Sequence, residues 1–185
     1  TFAAGVAVSV IITATDTDLE STTELFTHLS AVAVGDANNT RDGNLIRATS
    51  VQFRGRITFA TNATLPSYVR LIVFWDKQAN GAVVSDELLF LNSTDALSAY
   101  NNAGLQRFTP VFDKLYNLRS TSGTITLDQV VINKQKVKLN RKITYDASVS
   151  ATIPVTNALV AMMMTDTATP AANVLFFYKF SYKDI

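Results

Sequence analysis

The chain has 185 residues, 48% hydrophobic and only 17% charged, which is enough for a sizeable core beneath a sparsely charged surface. It has no cysteine, excluding disulfides, zinc–thiolate sites and cysteine nucleophiles, and one histidine, too few for a cupin-type metal cluster. Sixteen basic residues against fifteen acidic ones leave a net charge of +1, so overall charge does not mark a nucleic-acid binder.

In chain order, the first strand signal is 2–13, where Phe2, Ala4, Val6, Val8, Val10 and Ile12 share one parity. The segment is too short and too rich in small residues to span a bilayer. A second signal covers 22–34. Residues 45–60 then alternate, with Val51, Phe53, Ile57 and Phe59 on one face and Gln52, Arg54, Arg56 and Thr58 on the other. Residues 68–76 form a nearly continuous apolar strand, closed by the turn residues Asn80 and Gly81. Further strands are expected at 86–91 and 107–119. The region 124–146 reads as two strands, 124–133 and 135–146, or as one strand with a bulge. The last two are 157–165 and 173–182, the latter with Val174, Phe176, Tyr178, Phe180 and Tyr182 on one face. One short helix is predicted, capped by Ser93 or Thr94 and ending near Asn101. Many strands, one helical turn and no βαβ spacing predict an all-β fold, an antiparallel jelly roll.

Several runs carry a family resemblance. Gly35-Asp36-Ala-Asn-Asn-Thr-Arg41-Asp-Gly43-Asn-Leu-Ile46-Arg47, continuing through Val51-Gln-Phe-Arg54-Gly55, resembles the coat proteins of satellite tobacco necrosis viruses. So does Leu91-Asn92-Ser-Thr-Asp-Ala-Leu-Ser98-Ala-Tyr100-Asn101 with Leu105-Gln106-Arg107-Phe108-Thr109. The stretch 69–81 is similar to the strand and turn of capsid proteins from circular, Rep-encoding single-stranded DNA viruses. The resemblance implies an eight-stranded jelly-roll sandwich of two four-stranded sheets that assembles with itself into an icosahedral shell of about sixty copies (T=1). On that pattern 22–34 is the first strand, 45–60 the second, 68–76 and 86–91 the third and fourth, and 107–119 the fifth. The last three fall in 124–146, 157–165 and 173–182, and 2–13 is an extra N-terminal strand. Loops 35–44, 61–67, 76–86 and 92–106 are the expected subunit contacts.

Lys134, Lys136, Lys138, Arg141 and Lys142 place five of the sixteen basic residues within nine positions. In strand geometry Lys136, Lys138 and Lys142 face away from the core side of Val137, Leu139, Ile143 and Tyr145. Such a stripe binds phosphates without reading sequence, or else protects a solvated edge. Asp16, Asp18 and Glu20 alternate in an acidic loop whose hard oxygens suit calcium, with a plain solvent loop as the alternative. His28 lies in an apolar run without a partner signature and is read as structural, as are Trp75 and Met162–Met164. The sequons at Asn38, Asn62 and Asn92 are read as chance matches in a Thr- and Asn-rich chain.

The sequence therefore predicts a non-enzymatic capsid protein of the virion. Its expected partners are further copies of itself and a single-stranded viral genome, with DNA favoured over RNA; a host receptor is left unassigned and no membrane insertion is expected. A non-viral jelly-roll module, lectin-like or trimeric, is the rival. Charge bookkeeping adds one expectation. A net +1 in about sixty copies gives about sixty positive charges against roughly one negative charge per nucleotide of a genome of about a thousand, so a basic disordered arm is expected upstream of Thr1.

Overall fold

The computed structural model describes residues 7–13, 17–19, 25–37, 40–59, 67–82, 89–92, 94–118, 129–148, 152–166 and 172–185. The strands are β1 (Ala7–Thr13), β2 (Thr17–Leu19), β3 (Leu25–His28), β4 (Leu45–Phe59), β5 (Ser67–Asp76), β6 (Phe108–Leu118), β7 (Gln129–Tyr145), β8 (Pro154–Thr156), β9 (Ala158–Thr165) and β10 (Ala172–Asp184). One sheet runs β1-β10-β4-β7-β8 with β2 also on β10, and the other runs β3-β9-β5-β6. Among the described residues no helix is long and apolar enough to cross a membrane.

Setting aside the three-residue strands β2 and β8, each sheet has four principal strands, and all of them pair antiparallel. Their pairing is nested: β1 with β10, β3 with β9, β4 with β7, and β5 with β6. First pairs with last, second with seventh, third with sixth and fourth with fifth. That is one long hairpin rolled into a sandwich, the jelly roll.

The expected strand order is corrected by one place at the start. Residues 7–13 are the first strand of the roll rather than an extra one. Within 22–34 only Leu25–His28 is a strand; beyond it the chain turns, with the amides of Leu29 and Ser30 donating to the Leu159 carbonyl at 2.9 and 3.3 Å. The 86–91 strand falls partly outside the described residues, and Phe90 forms only an isolated bridge with Tyr100. The helix near 93–101 is replaced by turns. The Asn92 and Asp95 side chains accept from the amides of Thr94 (3.1 Å) and Leu97 (2.8 Å), offering the backbone an alternative to helical bonds. A single 3-10 turn follows at Gly104–Gln106. Asn80 and Gly81 both take positive φ, 52° and 72°, as the turn reading expects.

Two apolar layers result. Between the sheets, Val51, Phe53 and Ile57 of β4 and Val174, Phe176, Tyr178 and Phe180 of β10 meet Val69, Leu71, Val73 and Trp75 of β5 and Met163 of β9. Outside the second sheet, Ile72, Phe74, Val160, Met162 and Met164 are covered by Ala79, Leu89, Phe90 and Ala96 from the connection between β5 and β6. Every residue of β9 is therefore buried, a strand wetted on neither face.

Two ion pairs hold that cover down. Arg70 of β5 donates from Nε and Nη2 to Asp113 of β6 at 2.9 and 2.6 Å, and from Nη1 to the carbonyls of Ser98 (2.6 Å) and Ala96 (3.3 Å). Its guanidinium also lies 5.1 Å from the ring centres of both Phe90 and Tyr100. Arg107 makes a bidentate pair, 2.7 Å on each arm, with Asp76, whose side chain is fully buried.

A candidate nucleic-acid interface on the bare sheet

The first sheet carries no such cover over β4, β7 and β10 among the described residues. Inward positions on these strands are mostly apolar, and the alternate positions face out. They present Arg47, Arg54 and Arg56 from β4, Lys134, Lys136, Lys138 and Lys142 from β7, and Lys179 and Lys183 from β10, all exposed. These nine are more than half of the sixteen basic residues in the chain. β4 and β7 contain no acidic residue, and the one on β10, Asp184, is aligned with buried Ile46 and so belongs to the inner face. At the far end of the sheet Asp18 of β2 pairs with Asn173.

Register brings the cations together. Arg47 is opposite both Lys142 and Lys183, and Gln52 is opposite both Lys136 and Lys179. Arg47 makes one polar contact within the patch, from Nη1 to Asn140 Oδ1 at 3.5 Å. Like charges set side by side in this way repel one another and create a strongly positive surface that favours a polyanion. Two shallow depressions, of about 430 and 410 Å³, lie on this face around Phe177.

Of the five basic residues singled out in the sequence, Lys134, Lys136, Lys138 and Lys142 lie on this face. Arg141 does not. It is opposite buried Ala48, and its guanidinium lies 5.2 Å from the centre of the Trp75 ring, on the core side. Sequence reasoning missed Arg47, Arg54, Arg56, Lys179 and Lys183 as members of the patch, because they come from strands far apart in the chain. The alternation of Arg54 and Arg56 with Phe53 and Ile57 was the available signal.

Residues 124–146 settle as one strand in their described part, 129–145. Its register against β4 slips twice: Gln135 and Ile132 face Phe53 and Gly55, and Arg141 and Lys138 face Ala48 and Ser50. In each case β7 has two residues against one, the mark of a β-bulge. The first bulge, at Asn133 and Lys134, has a direct effect on the patch. Below it the inward residues are Val130 and Ile132; above it they are Gln135 and Val137. The bulge reverses the parity and sends Lys134, Lys136 and Lys138 outward.

The other expected sites are less informative. Asp18 lies in β2 rather than in a loop, and Asp16 and Glu20 fall outside the described residues. Among the described residues no cluster of three or more His, Asp or Glu side chains is arranged to hold a metal ion. His28 sits on the edge strand β3 with both ring nitrogens buried and without a hydrogen-bond partner among the described residues. Burial lowers its pKa below the ordinary 6.5, partly opposed by the negative charge of Asp76.

A family model described as satellite tobacco necrosis virus coat protein matches residues 9–185. Curated protein sequences give no match. Among solved structures, the infectious bursal disease virus Gx strain is similar at 12% identity over 96% of this chain, with a TM-score of 0.31. The chain spans only 33% of that one. Cucumber leaf spot virus gives 12% identity over 95% of this chain and 56% of its own, TM-score 0.29. Sacbrood virus of honeybee gives 13% over 96% and 67%, TM-score 0.29.

Proposed function

This chain belongs to the satellite tobacco necrosis virus coat protein family and is a structural component of the virion capsid; from that premise we propose that it closes into an icosahedral T=1 shell of about sixty copies around a single-stranded genome. The basic outer face of the first sheet lines the interior and holds the genome through its phosphates, without reading sequence and without catalysis. The resemblance read from the sequence at 69–81 leans this proposal toward DNA as the genome.

The observation that carries this reading is the asymmetry of the two outer surfaces. One sheet has its outer face sealed by the apolar connection from β5 to β6, while the other presents nine cations with no acidic side chain described among them. A shell that encloses a polyanion gains from one such face on every subunit. The exposed Leu91 (71%), Leu97 (60%) and Leu105 (37%) on the covering connection support this segment as a contact between subunits.

Size-exclusion chromatography and negative-stain imaging test the assembly. About sixty copies of a 20.1 kDa chain elute near a megadalton, and closed shells are expected in the images. Monomers or trimers alone at high concentration would return the chain to a lectin-like or trimeric role. Sequencing nucleic acid from purified particles identifies the genome.

A further inference from the structure

Phe177 is the aromatic residue in the outward row of β10, between Leu175 and Lys179, and it is half-buried while its neighbours in the core, Phe176 and Tyr178, are sealed. It is paired with Arg54 on β4. The two depressions on the basic face meet there: Arg54, Lys134 and Phe177 line both, while Gln52, Phe53, Tyr178 and Lys179 complete the larger. Binding phosphates requires none of this apolar surface. A ring set among cations in a depression of about 430 Å³ suits a ligand with both a flat apolar face and a negative charge.

We propose that this depression is a binding site for an unpaired nucleotide, whose base stacks on Phe177 while its phosphates engage Arg54, Lys134 and Lys179. Gln52, carrying both donor and acceptor, is placed to meet a base edge. The inference rests on the nucleic-acid role of the basic face and adds a preference to it. Duplex keeps its bases stacked inside and offers a sheet surface mainly phosphates, whereas a single strand exposes a π-face at every base. This site therefore selects unpaired segments of a genome over its helical ones, whatever the sequence.

The test measures binding of the full-length chain to a short unstructured single strand, to duplex of the same sequence and to inorganic polyphosphate. Phe177→Leu should weaken single-strand binding by about 5- to 150-fold and leave polyphosphate binding unchanged. Phe177→Tyr, which keeps the ring, should retain single-strand affinity. Lys179→Gln should weaken both probes. Equal affinity of Phe177→Leu and the parent for the single strand, with polyphosphate still bound, overturns the stacking site and leaves the electrostatic reading standing. Failure of the parent to bind either probe overturns the electrostatic reading itself. Photocrosslinking of a halogenated single strand to the unaltered protein gives a check independent of any variant's folding: adducts are expected within 172–184, and adducts only elsewhere overturn the site.

Discussion

Ile132 and Lys134 stand two residues apart on β7 yet face opposite sides of the sheet, Ile132 in the core at 2% exposure and Lys134 in the basic patch. In an unbroken strand they would share a face, and a core that admits Ile132 would have to admit Lys134, Lys136 and Lys138 as well. Burying unpaired ammonium groups is prohibitive, so the extra residue at the bulge decides whether the patch exists.

Reversal of Lys136, Lys138 and Lys142 to Glu should leave shells able to form but with less packaged nucleic acid. Removing three phosphate contacts should also flatten the salt dependence of binding, by about 2–3 in the log–log slope. Absorbance ratios of purified particles and a salt titration measure both. Unchanged packaging would return these lysines to edge protection.

Leu91→Asp and Leu97→Asp should stop assembly while leaving the fold intact, since both side chains are exposed and anchor nothing in the subunit. Sedimentation together with circular dichroism separates the two effects. Full-sized shells from the double variant would exclude this segment from the contacts.

Gly55→Ala should destabilise the subunit by about 1–3 kcal/mol. A Cβ at this position would stand 2.3 Å from the Leu175 carbonyl oxygen, a backbone atom that cannot swing aside. Gly55 sits opposite Ile132 at the first bulge, where β10, β4 and β7 crowd together. Denaturant melts measure the loss, and a neutral result would mean that the bulge relaxes.

Acid should weaken the fold through His28. Its folded pKa lies below the ordinary 6.5 because burial disfavours the charged ring, so the unfolded chain binds the proton more readily. Stability is full above pH 6.5 and falls as pH drops below that value toward the folded pKa. The charge that acts on the ring is that of Asp76, which partly opposes the shift and is itself paired with Arg107. Thermal midpoints should decline between pH 6.5 and about 5, above the range where ordinary carboxylates titrate, and the decline should flatten in His28→Met.

Much of the sandwich was legible in the sequence because alternation is a local property. Val51, Phe53 and Ile57, or Val174 through Tyr182, announce a buried face without reference to any partner. The apolar run at 86–91 carried no such alternation: in its described part Leu89 and Phe90 are buried in the outer apolar layer with Phe74 and Met162, and Phe90 makes only an isolated bridge. The helix expected from Ser93 or Thr94 gives way to turns, one of them closed by Asp95 on the amide of Leu97; local hydrogen bonding of such side chains competes with the helix. The basic site was half legible. Lys136, Lys138 and Lys142 cluster in sequence, but Arg54 meets Phe177 only through strand pairing, and Arg141 leaves the cluster because its register sets it opposite Ala48.

The nested pairing gives the last strand a particular place in time. β10 is the last described strand in chain order, yet it lies inside its sheet, between β1 and β4. Until residues 172–184 leave the ribosome, β1 has no neighbour, β4 has an open edge, and the platform that gathers Arg54, Lys134 and Lys179 does not exist. Contacts between the ends of the chain also close slowly, because the whole intervening loop must first be ordered. Before β10 is in place the face lacks Phe177, Lys179 and Lys183, so the proposed nucleotide site is incomplete until residues 172–184 have been added.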